Sequence, residues 1–536
     1  MFRAISTLGL AVIVVVSAWA WLGAPVAMPP SPLAAGEKLH CVSYAPFRNG
    51  QSPLDGGTVI PRAQIEEDLA RLAKVTGCVR TYATELGLSM VPEIAAQHGL
   101  KVLQGLWLGS EPAKNAVEIE TVVRLANEHR DTIRGVVVGN EVLLRGEMSD
   151  IDLADTIRKV KAQVPVPVTY ADVWEYWLRH RSLAAAVDFV TIHILPYWED
   201  FPVAAHDAGR HIDEIERKVA AVFPGKEILI GEAGWPSAGR MREGALPSPA
   251  NQARVIHDLL ELAKRDGYRV NVIEAFDQPW KRRLEGTVGG HWGLLDASSR
   301  EPKFVLGEAV SNRPLWIWQA IGGVLMVLAV GASAHLAAHR RGAVIQVGWG
   351  GWAGLWVLAV SAGVFVPMAA EAAMLESLGP GGWVRNGALL AAAAAAAPLI
   401  AAALVFGRPL EGFGVVLDSQ QRLLTDFWIK APALLLAIVT VLAIQSALGL
   451  VFDARYKDFP FAALSAAVLP LAVLAVSGSR GPRLDGIAEI AAAAVLVGSA
   501  IFVSLNETFA NWQAQWTCVL WLVLAATLLR ARGARS

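Results

Sequence analysis

The sequence predicts an α/β fold, a (β/α)8 TIM barrel, joined to an all-α polytopic membrane domain. Three observations carry that expectation. Between Lys38 and about Asn312, short apolar runs alternate with amphipathic stretches, and eight of the runs have strand length. Past Pro314 the charges thin out and apolar runs of membrane-crossing or nearly membrane-crossing length follow one another. Two of the strand-like runs, Gly135-Val136-Val137-Val138-Gly139-Asn140-Glu141-Val142 and Ile228-Leu229-Ile230-Gly231-Glu232-Ala233-Gly234-Trp235-Pro236-Ser237, end in a glutamate. The carboxyl ends of barrel strands are where such folds build their chemistry.

Composition sets the bounds. The 536 residues are too many for one ordinary domain, and 54% hydrophobic against 18% charged is membrane-like as a whole-chain average. A net charge of −1 implies no polyelectrolyte partner and argues against nucleic acid. Three cysteines, Cys41, Cys78 and Cys518, make no disulfide framework. Cys41 and Cys78 fall on neighbouring strands, where an oxidising compartment leaves a bridge open, but buried thiols are the expectation. No Cys/His set has zinc spacing, so neither metal nor cofactor is expected.

Taken in order, Arg3 precedes the apolar run Ile5 to Leu22, and residues 1–24 read as an uncleaved signal anchor. Residues 25–37 are a Pro-rich, extended linker. The barrel is expected over 38–312, with strands at 40–45, 77–82, 100–106, 133–141, 166–171, 188–194, 227–232 and 270–276. Amphipathic helices such as Gln64–Thr76 and Ala250–Gly267 lie between them. A doubly wound sheet would carry a glycine-rich turn after its first strand, and Tyr44-Ala45-Pro46 is not one. Residues 313–536 form the membrane domain, with about seven spans near 315–334, 344–370, 387–406, 429–451, 460–477, 486–505 and 515–529. Positive charge gathers at His339-Arg340-Arg341, in Arg408–Lys430, at Arg480 and Arg483, and in the Arg530–Arg535 tail. The positive-inside rule puts those connections in the cytoplasm and the barrel outside it.

Two glutamates on strands four and seven can face each other across a barrel mouth. Glycoside cleavage needs that pair, one carboxyl to protonate the leaving oxygen and one to attack or to activate water. One of the two must be an anion when it attacks, and the other an acid/base whose carboxyl is pushed up by burial and by its partner's charge. Strand geometry predicts a carboxyl separation of about 5–5.5 Å, that of retaining enzymes. Asn140 is placed to meet a sugar 2-hydroxyl. Trp107, Trp198, Trp235, Trp280 and Trp292 follow strand ends, where they can stack on pyranose faces. Tyr44, Arg80 and Tyr82 lie near the mouth, while Glu85, Asp172, Glu199 and Glu274 read as rim or structural acids.

These residues resemble glycoside hydrolase family 17. The resemblance rests on Val138–Val142, on Gly231–Ser237, and on Phe276-Asp277-Gln278-Pro279-Trp280-Lys281 with His291-Trp292-Gly293-Leu294, and it covers about half of the chain. It implies β-1,3-glucan chemistry, with Glu232 as the nucleophile, Glu141 as the acid/base, and Asp277, Gln278, Lys281 and Trp292 in the substrate site beside His193 and Tyr197. Gln278 stands where many members have Glu, and Leu195-Pro196-Tyr197 where plant members have Tyr-Pro-Tyr. The function expected is an outward-facing retaining β-glucan transglycosylase, elongating or β-1,6-branching its glucan. An endo-β-1,3-glucanase is the alternative, and a non-catalytic glucan sensor or exporter the alternative of another class. The partners expected are a β-glucan, the lipid bilayer and a glucan synthase. The location expected is a bacterial inner membrane with the barrel on the periplasmic side.

Overall fold

Eight short parallel strands close on themselves in a computed structural model that describes residues 2–341, 347–417, 427–477 and 486–532. They are β1 (Cys41–Ser43), β2 (Cys78–Arg80), β3 (Lys101–Leu106), β4 (Ile133–Asn140), β5 (Val168–Val173), β6 (Val190–His193), β7 (Ile228–Ala233) and β8 (Arg269–Val272). Each pairs with the next, and β8 pairs with β1. This is the (β/α)8 barrel expected, and every strand overlaps its predicted run.

Helices return the chain from each strand to the next, and their ends follow local chemistry. The Ser149 hydroxyl accepts from Asp152 N at the start of Asp150–Lys161, and Ser248 does the same from Asn251 N ahead of Pro249–Asp266. Val42, Val79, Val102, Val136, Val168, Val190 and Ile230 pack with the helices in one core. Their alternates Cys41, Cys78, Leu103, Val137 and Leu229 form a separate cluster, which is the floor of the barrel interior.

Cys41 and Cys78 are bridged in that floor, contrary to the expectation of free thiols. The reason is register. Val42 pairs with Val79, so the two cysteines are direct cross-strand neighbours with Cα atoms 4.3 Å apart.

The chain divides into two compact units, Val26–Ala238 with Gly244–Val310, and Met1–Pro25 with Gly239–Glu243 and Ser311–Ser536. The second unit is helical. Among the described residues six of its helices are long and apolar enough to cross a membrane: Trp316–Arg340, Trp349–Glu376, Gly379–Val405, Phe427–Phe452, Ile487–Glu507 and Trp512–Ala531. The apolar helices Ser6–Leu22 and Phe461–Ser477 are shorter. Residues 391–397 are seven consecutive alanines inside Gly379–Val405, and Ala392, Ala393, Ala396 and Ala397 are buried, as small residues are where helices pack closely. Arg480 and Arg483, part of the expected cytoplasmic charge, lie outside the described residues.

Candidate active site

Strict alternation along β4 and β7 would not bring both glutamates into the barrel mouth. Each strand carries an extra residue that changes the count. Val137 pairs with Thr169 and Asn140 with Ala171, so three steps on β4 match two on β5. Ile192 pairs with Ile230 and His193 with Glu232, so two steps on β7 match one on β6. Bulges of this kind re-aim the side chains that follow them. Glycine makes both possible. Gly139 has φ +85°, and a Cβ on Gly231 would come within 2.3 Å of Thr191 Cγ2.

Glu232 is 5% exposed and surrounded by donors. Arg80 Nη1 lies 3.2 Å from its Oε1, and the Tyr82 hydroxyl donates to the same oxygen at 2.9 Å. Arg80 is fixed in turn by Gly231 O at 2.7 Å and Asn140 Oδ1 at 2.5 Å. Burial, then the charge of Glu232, push the Tyr82 phenol well above its ordinary range, so it stays a donor at any working pH.

Glu141 follows β4 with φ +55°, a left-handed conformation that costs a residue with a Cβ about 1–2 kcal/mol. Its side chain is 23% exposed, and its Oε1 lies 2.9 Å from His193 Nδ1. Burial raises the Glu141 carboxyl, but the His193 bond and the charges of His193, Arg80 and Arg145 outweigh it and hold the group below its usual range. The sequence reading expected the opposite direction; it did not foresee that Arg80 from β2, His193 from β6 and Arg145 from the turn after Glu141 gather around this carboxyl. His193 also faces Glu232, with Nε2 3.6 Å from Oε1. One atom from each of Glu141, His193 and Glu232 can be chosen so that all lie within 4.8 Å of one another. Three such atoms could suit a cation, but the Arg80 guanidinium already supplies positive charge at Glu232.

The other predicted residues divide. Asn140, Arg80, Tyr82 and His193 join the two glutamates directly. Trp107 is 40% exposed beneath the Arg145 guanidinium, 4.1 Å from its ring centroid, and Arg145 also donates to Asn140 O. Tyr197, Trp235 and Trp292 are buried in one aromatic cluster, with Trp198 stacked on Trp292. Lys281 pairs with Glu274 at 3.0 Å. Tyr44, Asp277 and Gln278 are not brought into the group. Tyr44 is buried against Asp68, Asp277 is held by Lys303 and Gly293 N, and the Gln278 amide is spent on Ala45 O, Phe276 O and Trp280.

Two acids read as structural lie close to the chemistry. Glu274 lies just past β8 as Glu141 lies just past β4, while Glu232 is next to last in β7, a similar strand-end signal; burial lifts the Glu274 carboxyl to about 7 against the pull of Lys281. Asp172 on β5 accepts from the Tyr170 hydroxyl. Burial, opposed by that bond and reinforced by the Glu141 charge, lifts it to about 6.

Residues 41–293 match the BtgE/BtgC glycoside hydrolase domain model. Over those residues the barrel is similar to that domain. Named relatives are fungal. A probable beta-glucosidase btgE of Aspergillus fumigatus is 27% identical over 262 residues, covering 48% of this chain and 45% of the relative. A glucan 1,3-beta-glucosidase of Saccharomyces cerevisiae is 25% identical over 265 residues, covering 45% of this chain and 84% of the relative. The chain thus spans about half the length of the btgE relatives it matches. Among solved structures, an active-site mutant of a Rhizomucor miehei beta-1,3-glucanosyltransferase in complex with laminaritriose aligns with TM-score 0.44 at 27% identity, over 50% of this chain and 97% of that one. The matched residues 41–293 take in all eight strands, and Glu141 and Glu232 both lie inside them.

Proposed function

We propose that the protein is a membrane-anchored retaining β-glucan transglycosylase, with Glu232 as nucleophile and Glu141 as acid/base. The observation that carries the reading is the short gap. An oxygen of Glu141 lies within 4.8 Å of an oxygen of Glu232, in keeping with the about 5–5.5 Å between the carboxyls of retaining enzymes, where no water fits between the attacking carboxylate and the anomeric carbon. Glu232, held as an anion by Arg80 and Tyr82, attacks the anomeric carbon while Glu141 gives a proton to the leaving oxygen. In the second half Glu141, now an anion, takes a proton from the incoming hydroxyl. If that hydroxyl is water the outcome is hydrolysis; if it belongs to a sugar, transfer. The β-1,3-glucan names of the relatives support the substrate class. The six long apolar helices support anchoring, and the bridged Cys41–Cys78 pair supports an oxidising compartment for the barrel, outside the cytoplasm.

Incubating the full chain in detergent with a laminari-oligosaccharide of defined length tests the reading. Products both longer and shorter than the substrate are expected. Products that are only shorter would replace transfer with endo-hydrolysis, and an α-anomer formed first would remove the nucleophile role of Glu232.

A further inference from the structure

The free site holds the proposed acid in the wrong state for its task. Glu141 has to carry a proton, yet it sits against His193 with positive charge around it. His193 itself has no route to a sugar: its side chain is fully buried, with one ring nitrogen 2.9 Å from Glu141 and the other 3.6 Å from Glu232 and 3.4 Å from Arg80 Nη1. Its place among the substrate-binding residues is thus taken by a different role.

We propose that His193 stores the proton that Glu141 delivers, passing it from Nδ1 to the Glu141 carboxyl when a glucan covers the site. The inference rests on the acid/base reading of Glu141.

Charge balance supports it. Glu141 and Glu232 carry two negative charges and Arg80 one positive charge, which leaves one negative charge over in a buried group. One proton on the Glu141–His193 pair closes the balance, and uncompensated buried charge is what such sites avoid. Of the other charged groups nearby, Arg145 pairs with Glu147 and Lys281 with Glu274. Asp172, bonded by the neutral Tyr170 hydroxyl and by backbone N–H groups, adds a further negative charge when ionised and so strengthens the need for a proton on the pair. In the free site the proton rests on the ring, and the imidazolium has an N–H toward each carboxylate. A bound sugar removes water from the partly exposed Glu141 side chain, which disfavours the ion pair relative to its neutral form. The Nδ1–H bond breaks, the Glu141 O–H bond forms, and a neutral ring remains with its proton on Nε2 facing Glu232. Glu141 then protonates the leaving oxygen.

The test compares two substrates on the full-length chain, a laminari-oligosaccharide, whose leaving group needs a proton, and a dinitrophenyl β-laminaribioside, whose leaving group does not. The variants are His193→Asn, His193→Gln and Glu141→Gln. An asparagine amide can donate to Glu141 but cannot surrender a proton. Both His193 variants are expected to lose about 10²-fold or more in kcat/KM on the oligosaccharide and less than about tenfold on the aryl glycoside. The basic limb of the oligosaccharide pH profile should also move to lower pH. Equal losses on both substrates at an unchanged melting temperature would assign His193 a structural role and overturn the proposal. So would an unchanged oligosaccharide rate and basic limb. Glu141→Gln checks the underlying reading separately: if it too loses equally on both substrates, Glu141 is not the acid, whatever His193 does.

Discussion

The ends of β4 and β7 are built on one plan and finish as different chemical environments. Each is an apolar run, then a glycine, then a bulge that turns a glutamate into the mouth. At β7 the carboxylate is nearly inaccessible and clamped by two donors from β2 and the turn after it, Arg80 and Tyr82. At β4 the carboxylate is about a quarter exposed, on a left-handed residue, with one direct side-chain partner, a histidine. The first arrangement suits the proposed nucleophile, and the second the proposed proton exchange. The difference arises not in β4 or β7 but in what β2 and β6 bring to them.

The sharpest way to break that comparison is at Glu232. Glu232→Gln keeps the shape and removes the anion, and kcat should fall at least about 10⁴-fold on both oligosaccharide and aryl substrates, because the nucleophile takes part in every turnover. A variant that still remodels glucan at the wild-type rate would dismiss the assignment. Tyr82→Phe probes the clamp with a smaller effect. Losing one hydrogen bond to a charged group costs about 1.5–3 kcal/mol, or roughly tenfold to a hundredfold in rate. The loss should be equal on substrates with good and poor leaving groups, since it weakens the attacking side. If it fell mainly on poor leaving groups, the two strand ends would not divide the labour as described.

Much of this was legible because it is local. An apolar run that stops at Gly-Asn-Glu or Gly-Glu is read from consecutive residues, and the same glycines that mark the motif permit the bulges. The long apolar runs after Pro314 are equally local. What could not be read depends on which strands meet and in what register. Alternation gives the faces of β1 and β2, but the Val42–Val79 pairing decides that Cys41 and Cys78 touch. His193 was visible as a residue near the site, yet its contact with both glutamates exists only because β7 is bulged against β6. Tyr44 and Gln278 show the converse. Their places in the sequence are those of mouth residues, and the folded chain spends their polar atoms on Asp68, Ala45, Phe276 and Trp280.

The smallest effect expected lies behind Glu141, at Asp172, and it reads out in stability instead of rate. Asp172 is fully buried beside Tyr170, and its carboxyl is lifted to about 6, above the roughly 3.9 of an unfolded aspartate. A raised value means that the folded chain holds this proton more tightly than the unfolded one. The stability it contributes is complete below about pH 4 and is lost as pH rises through about 6. Asp172→Asn keeps an acceptor for Tyr170 and removes the titration, so the variant should gain on the wild type by about 1–3 kcal/mol between pH 4 and pH 7. Melting of both proteins at the two pH values measures the difference, and groups common to both cancel. No counterpart is expected at β7, where Tyr82→Phe removes a donor whose phenol does not titrate in that range. A pH-dependent gain at Asp172 with none at Tyr82 would tie the β4 side to proton exchange and the β7 side to a fixed charge. A flat difference at Asp172 would mean that its carboxyl is ionised throughout, and a permanent negative charge would then stand beside Glu141, opposing its anion and making the imidazole proton easier to pass on.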